Sequence, residues 1–78
     1  MFLKEVNTLG VFNELSRQEY KNLLTTHKRH LSFMFIEERP QYSIENIIKV
    51  ERNTEENCFH VYYKNGDWWH YTFNNEWY

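Results

Sequence analysis

Residues 59–78 read FHVYYKNGDWWHYTFNNEWY, and nine of these twenty side chains are aromatic, including all three tryptophans of the chain. At the centre, Asn65-Gly66 separates two runs of strand-forming residues. This is a strong hairpin signal, because a type I′ turn needs positive φ at both central positions. A two-residue turn there sets Lys64 opposite Asp67, Tyr63 opposite Trp68, Tyr62 opposite Trp69, and so on to Cys58 opposite Phe73. Opposed residues share a side of a sheet and successive residues alternate. One side then carries Phe59, Val61, Tyr63, Trp68, His70 and Thr72. The other carries Cys58, His60, Tyr62, Trp69, Tyr71 and Phe73.

The preceding segment selects the inner side. A strand over residues 44–52 and a four-residue loop at Asn53-Thr54-Glu55-Glu56 place Val50 opposite Phe59 and Ile48 opposite Val61. Lys49, Glu45 and Glu51 then fall on the Cys58 side. A slip of one residue would bury Lys49 and Glu51 unpaired, at several kcal/mol or about that order. The Phe59 side is therefore expected to face the core.

Further upstream, Ser16-Arg17-Gln18-Glu19 is a capping-box pattern. Tyr20, Leu23, Leu24, His27, Leu31 and Met34 or Phe35 follow at spacings of three and four, the stripe of an amphipathic helix. Arg39-Pro40 stops it, since the residue before proline avoids helical geometry. Phe2, Leu3, Val6 and Leu9 fit a short earlier helix, which Gly10 breaks. The expected fold is α+β. One main helix at about 17–35 covers a three-stranded antiparallel meander at about 44–52, 57–64 and 67–73, with a short N-terminal helix. Its core is the helix stripe against Ile48, Val50, Phe59, Val61 and Trp68.

The chain has 78 residues and a single cysteine, Cys58. That length makes residues 1–78 one domain near the lower limit for a self-sufficient core. No intrachain disulfide can form, which points to a reducing, cytoplasmic setting. The first residues lack a signal-peptide pattern, and no apolar run approaches the length of a membrane span. The net charge is −2, which argues against nucleic-acid binding by bulk electrostatics. The charges are unevenly spread: Arg17, Lys21, Lys28 and Arg29 make a basic helix, followed by a segment rich in Glu.

Chemistry is sparse. No Ser-His-Asp grouping, phosphate loop or carboxylate pair across a cleft can be assembled, so no enzyme is expected. Cys58 and His60 share one side and His27 with His70 the other, and two histidines without a third ligand do not make a zinc site. No metal or cofactor is therefore expected. Cys58 has no cationic neighbour to activate it and reads as a small apolar strand residue.

What remains is a patch of rings on the outward side. His60, Tyr62, Trp69, Tyr71 and Phe73, rimmed by Lys49 and Asp67, have the composition of a protein-binding surface. The expected function is a non-catalytic protein-binding module, an inhibitor or regulator of a larger protein, of the kind phages encode. Two other uses of the same rings compete with it. A homodimer would pack the patches together, or the N-terminal segment or the Trp77-Tyr78 tail would cover them. The alternative function is nucleic-acid binding, with sheet aromatics stacking bases and Lys21, Lys28 and Arg29 holding phosphates.

Overall fold

The computed structural model of the protein describes residues 10–78. Helix α1 (Arg17–Ser32) packs against a three-stranded antiparallel sheet of β1 (Ile47–Asn53), β2 (Cys58–Tyr63) and β3 (Trp68–Thr72), in that order. This is the expected α+β meander. Residues 10–12, including Gly10, are helical, so the expected break at Gly10 is not seen there. The stripe of Phe2, Leu3, Val6 and Leu9 lies outside the described residues. No helix among the described residues is long and apolar enough to cross a membrane.

The capping box forms as its sequence requires. Glu19 N–H donates to Ser16 Oγ at 3.1 Å, and Ser16 N–H donates to Glu19 Oε1 at 2.8 Å. The same carboxylate takes a two-pronged bond from Arg52 at the far end of β1, both arms 2.7 Å long. One side chain thus caps the helix and ties it to the sheet. At the other end α1 stops at Ser32, three residues before the expected boundary. Ser32 Oγ bonds back to Arg29 O at 2.6 Å, and Arg39 Nε holds Met34 O at 3.2 Å, so local partners replace the next helical turn. Two 3-10 turns, Arg39–Tyr42 and Ile44–Asn46, lead into β1, which begins at Ile47 and not at 44.

The first hairpin keeps its four-residue loop, shifted by one position to residues 54–57. Asn57 takes a left-handed φ of 57°, and Asn53 Oδ1 accepts from Glu56 N–H at 3.1 Å. Val50 still faces inward but opposes Val61, not Phe59. A bulge between Ile47 and Lys49 turns Ile47 into the core at 4% exposure and leaves Ile48 exposed. Ile48 was expected inside, and the extra residue reverses the alternation at that point.

The second hairpin differs more. Tyr62 pairs with Trp68, Val61 with Trp69, His60 with His70 and Phe59 with Tyr71. The turn is a three-residue loop, Lys64-Asn65-Gly66, closed by Gly66 N–H to Tyr63 O at 3.0 Å and Tyr63 N–H to Asp67 O at 2.9 Å. Only Gly66 has positive φ, at 95°; Asn65 does not, so the turn is not type I′. A type I turn followed by a left-handed glycine accepts the same Asn-Gly pair one position later in the loop. The one-residue difference exchanges the two sides of β3. Trp69, Tyr71 and Phe73, expected outside, turn toward α1, while Trp68, His70 and Thr72 turn away from it.

Packing explains the choice. Trp69, Tyr71 and Phe73 together bury more ring surface than Trp68, His70 and Thr72 would. Tyr71 is completely buried and joins Phe12, Leu23, Ile47, Phe59, Val61 and Tyr63 in the core. Trp68 is 47% exposed. His27 and His30 enter the core with α1. His30 Nδ1 lies 2.8 Å from Tyr71 Oη, which lies 2.6 Å from Tyr63 Oη, a buried chain of three polar groups. Burial pushes the Tyr63 phenol up to about 12 and holds His30 down at about 4.

After Thr72 the chain turns back at Asn75, whose φ is 68°. His70 and Tyr78 exchange main-chain bonds of 2.8 and 3.0 Å, so residues 76–78 line the free edge of β3. Thr26 Oγ1 and Arg29 Nη1 each bond Asn75 at 3.1 Å, fastening the turn to α1. Trp77 consequently lies on the helix side, stacked with His30 at 5.4 Å between ring centres, and Tyr78 lies on the other side.

Candidate functional site

Two surfaces carry unusual groups. The first lies where α1 gives way to the 3-10 turns. Phe33, Met34, Phe35 and Ile36 follow one another, and the exposures of Phe33, Phe35 and Ile36 are 76%, 75% and 73%. A run of four apolar residues cannot fit one helical stripe, and once α1 ends at Ser32 they have no interior to enter. Phe33, Met34 and Phe35 line a groove of about 270 Å³ together with His30, Glu38, Tyr42, Trp69 and Trp77. The indole Nε1 of Trp69 is buried without an acceptor among the described residues. A buried N–H left unbonded costs roughly 1–3 kcal/mol.

The second surface is the side of the sheet facing away from α1. Tyr62 and Trp68 stack at 5.7 Å, Lys49 Nζ sits 5.5 Å above the Tyr62 ring, and Glu51 binds both Lys49 and Tyr62 Oη at 3.0 Å. Beside them His60 and His70 meet edge to face at 4.9 Å. Glu56 reaches in from the β1–β2 loop. Its Oε1 is 2.8 Å from His60 Nε2, 3.7 Å from His70 Nε2 and 3.6 Å from Cys58 Sγ. The bond to His60 holds the Glu56 carboxyl below its ordinary range, while burial and then the bond to Glu56 raise the Cys58 thiol.

The residues expected to form a single outward patch are thus divided. His60, Tyr62 and Lys49 are on the outward side as read. Tyr71 is sealed in the core, Phe73 packs on Phe59 at 5.0 Å, and Trp69 lines the groove on the helix side. Asp67 does not rim the outward rings; its carboxylate accepts from Tyr42 Oη in the first 3-10 turn. His70, expected on the core side near His27, is brought instead beside His60 by the same register change. Of the basic helix residues, Lys21 and Lys28 are exposed, and Arg29 is engaged by Asn75 and lies 5.7 Å from the Trp77 ring. These three belong to the layer opposite Tyr62 and Trp68.

Sequence reasoning overlooked Phe33–Ile36 because it ran the helix through them. Four adjacent apolar residues, breaking the spacing of three and four, were the available sign. It overlooked the Glu56–His70 grouping because parity was counted from the turn alone. Comparison with protein-family models, curated proteins and solved structures gives no match.

Proposed function

We propose that the chain is a small non-catalytic protein-binding module, and that its contact surface is the Phe33–Ile36 segment with the adjoining aromatic groove. The observation that carries this reading is the exposure of three large apolar side chains in four successive positions. Such a run is costly to leave in water and is retained where another surface covers it. The groove suits one apolar or aromatic side chain of a partner protein. Regulation or inhibition of a larger protein by such a plug is the function that follows. Trp69 keeps its role as a contact residue, from the opposite side of the sheet to the one first read.

Nucleic-acid binding has less to support it. Tyr62 and Trp68 already stack on each other, Glu51 and Glu56 border them, and Lys21, Lys28 and Arg29 lie on the other layer.

The test is the double substitution Phe33→Ser/Phe35→Ser, compared with Trp68→Ala. Both sites are exposed, so each variant should melt within a few degrees of wild type. A protein co-purified from the native host by wild type should be lost with the double variant and kept with Trp68→Ala. The reverse pattern would refute the reading. Sedimentation of the isolated protein should give a monomer; a dimer dissociated by the double variant would replace the foreign partner with self-association.

A further inference from the structure

The side of the sheet away from the groove holds four donors of mixed type. Glu56 Oε, Cys58 Sγ and one ring nitrogen each of His60 and His70 all lie within 4.8 Å of one another. They come from three elements that the register fixes: the β1–β2 loop, alternate positions of β2, and the position on β3 directly opposite His60. Tetrahedral zinc, with bonds of about 2.0–2.3 Å, needs donors roughly 3.3–3.8 Å apart. The three contacts of Glu56 Oε1, at 2.8, 3.6 and 3.7 Å, are already at or inside that spacing. The longer separations, up to 4.8 Å, lie among Cys58, His60 and His70, and side-chain rotation of these three closes them.

The second feature is how His70 is held. Its Nδ1 lies 3.2 Å from the main-chain oxygen of Tyr78, and its ring stacks on the Tyr78 ring at 4.2 Å and 8°. Donation from Nδ1–H to a main-chain oxygen fixes the tautomer whose Nε2 lone pair is free, and Nε2 is the atom 3.7 Å from Glu56 Oε1. A histidine that ligates a metal through one nitrogen is commonly oriented through the other in this way.

We infer that Glu56, Cys58, His60 and His70 form a binding site for one zinc ion. The donor set favours zinc over magnesium or calcium, which take oxygen ligands. A thiolate and a carboxylate together neutralise the dication, so a half-buried site retains no net charge. Four protein ligands leave no open position, which makes the site structural and not catalytic. Its role is to join the β1–β2 loop to β2 and β3 and, through His70, to the Tyr78 strand. This inference is independent of the groove and survives if the groove binds nothing.

The experiment adds zinc chloride, and separately cobalt(II) chloride, to the reduced full chain. Cobalt should bind one to one and show a thiolate-to-metal charge-transfer band with the intense visible bands of tetrahedral Co(II). Zinc should displace it and, at a hundredfold excess over Kd, raise the melting temperature by about 10 °C or more. Cys58→Ser should remove the charge-transfer band. Glu56→Gln, on an exposed loop where folding is not at stake, should weaken binding at least about tenfold. An octahedral cobalt spectrum without a thiolate band overturns the inference. So does wild type that binds no zinc, or zinc affinity unchanged in both Glu56→Gln and Cys58→Ser.

Discussion

Acidifying the protein from pH 7 to 4.5 should remove a large part of its stability, and His30 should be the main cause. Its ring is 3% exposed, bonded to Tyr71 Oη and in contact with Trp69 and Trp77. Desolvation, and next the neighbouring His27, lower its pKa from 6.5 to about 4. The unfolded chain therefore takes up a proton on His30 as pH falls through 6.5, while the folded chain does so only near 4. Stability is fully present above 6.5 and is lost progressively down to about 4. With about 1.4 kcal/mol for each pH unit between the two values, the loss at pH 4.5 comes to about 2.5 kcal/mol. His27, lowered first by burial, adds in the same direction. A domain of this size has a total stability of roughly 4–12 kcal/mol, so the melting temperature should fall by about 10 °C or more. The assay is thermal unfolding followed by tryptophan fluorescence at half-unit pH steps, for wild type and His30→Gln. The variant, which has no imidazole to protonate there, should show a shallower dependence by about 2.5 kcal/mol across this range. Equal slopes for the two proteins would refute the argument, as would an NMR titration of His30 centred near 6.5.

Glu19 acts at lower pH. Its bonds from Arg52 and from Ser16 N–H hold the carboxyl at about 2, against an ordinary 4.5. That contribution is present above 4.5 and disappears as pH falls toward 2. Glu19→Gln should cost about 1–2 kcal/mol at pH 7 and only a small fraction of that at pH 2, where about half of the wild-type carboxyls are protonated, read from urea midpoints at both pH values. Tyr71→Phe removes the middle member of the buried chain and leaves His30 and Tyr63 each short of a partner. It should lower stability by about 1–3 kcal/mol in urea denaturation at pH 7 without altering the far-ultraviolet circular dichroism spectrum. Gly66→Ala meets no atom within 4 Å, so its cost is purely that of a φ of 95°. About 1–2 kcal/mol is expected by thermal melting, with Gly66→Asn milder than Gly66→Ala.

The elements were legible because each rests on local chemistry. Ser16 and Glu19 announce the start of α1, and alternation past Ile47 marks the strands. Faces were harder, because they depend on counting residues through turns. Asn65-Gly66 serves two loops that differ by one residue, and nothing inside the turn distinguishes them. The discriminating fact lies further along: Trp69-Tyr71-Phe73 is a heavier and more apolar set than Trp68-His70-Thr72. Weighing that alternation against the turn would have sent Tyr71 inward and delivered His70 to Cys58 and His60. Ile48 is a different case, since no residue type in Ile47-Ile48-Lys49 declares a bulge. The end of α1 at Ser32 likewise depends on Arg39, seven residues downstream, which no helical pattern would reveal.

The misfit at Ile48 also governs what this sheet does in a crowd. Residues 76–78 line the border of β3, and β1, at the other end of the sheet, has among the described residues a neighbouring strand on one side only, which leaves its far border open to a foreign strand. An incoming chain would find the ladder spacing broken at the start of β1, with Lys49 beside the break. Ribbon growth by repeated strand addition needs an uninterrupted edge, and the bulge shortens the stretch of β1 that could template it in a ring-rich sequence.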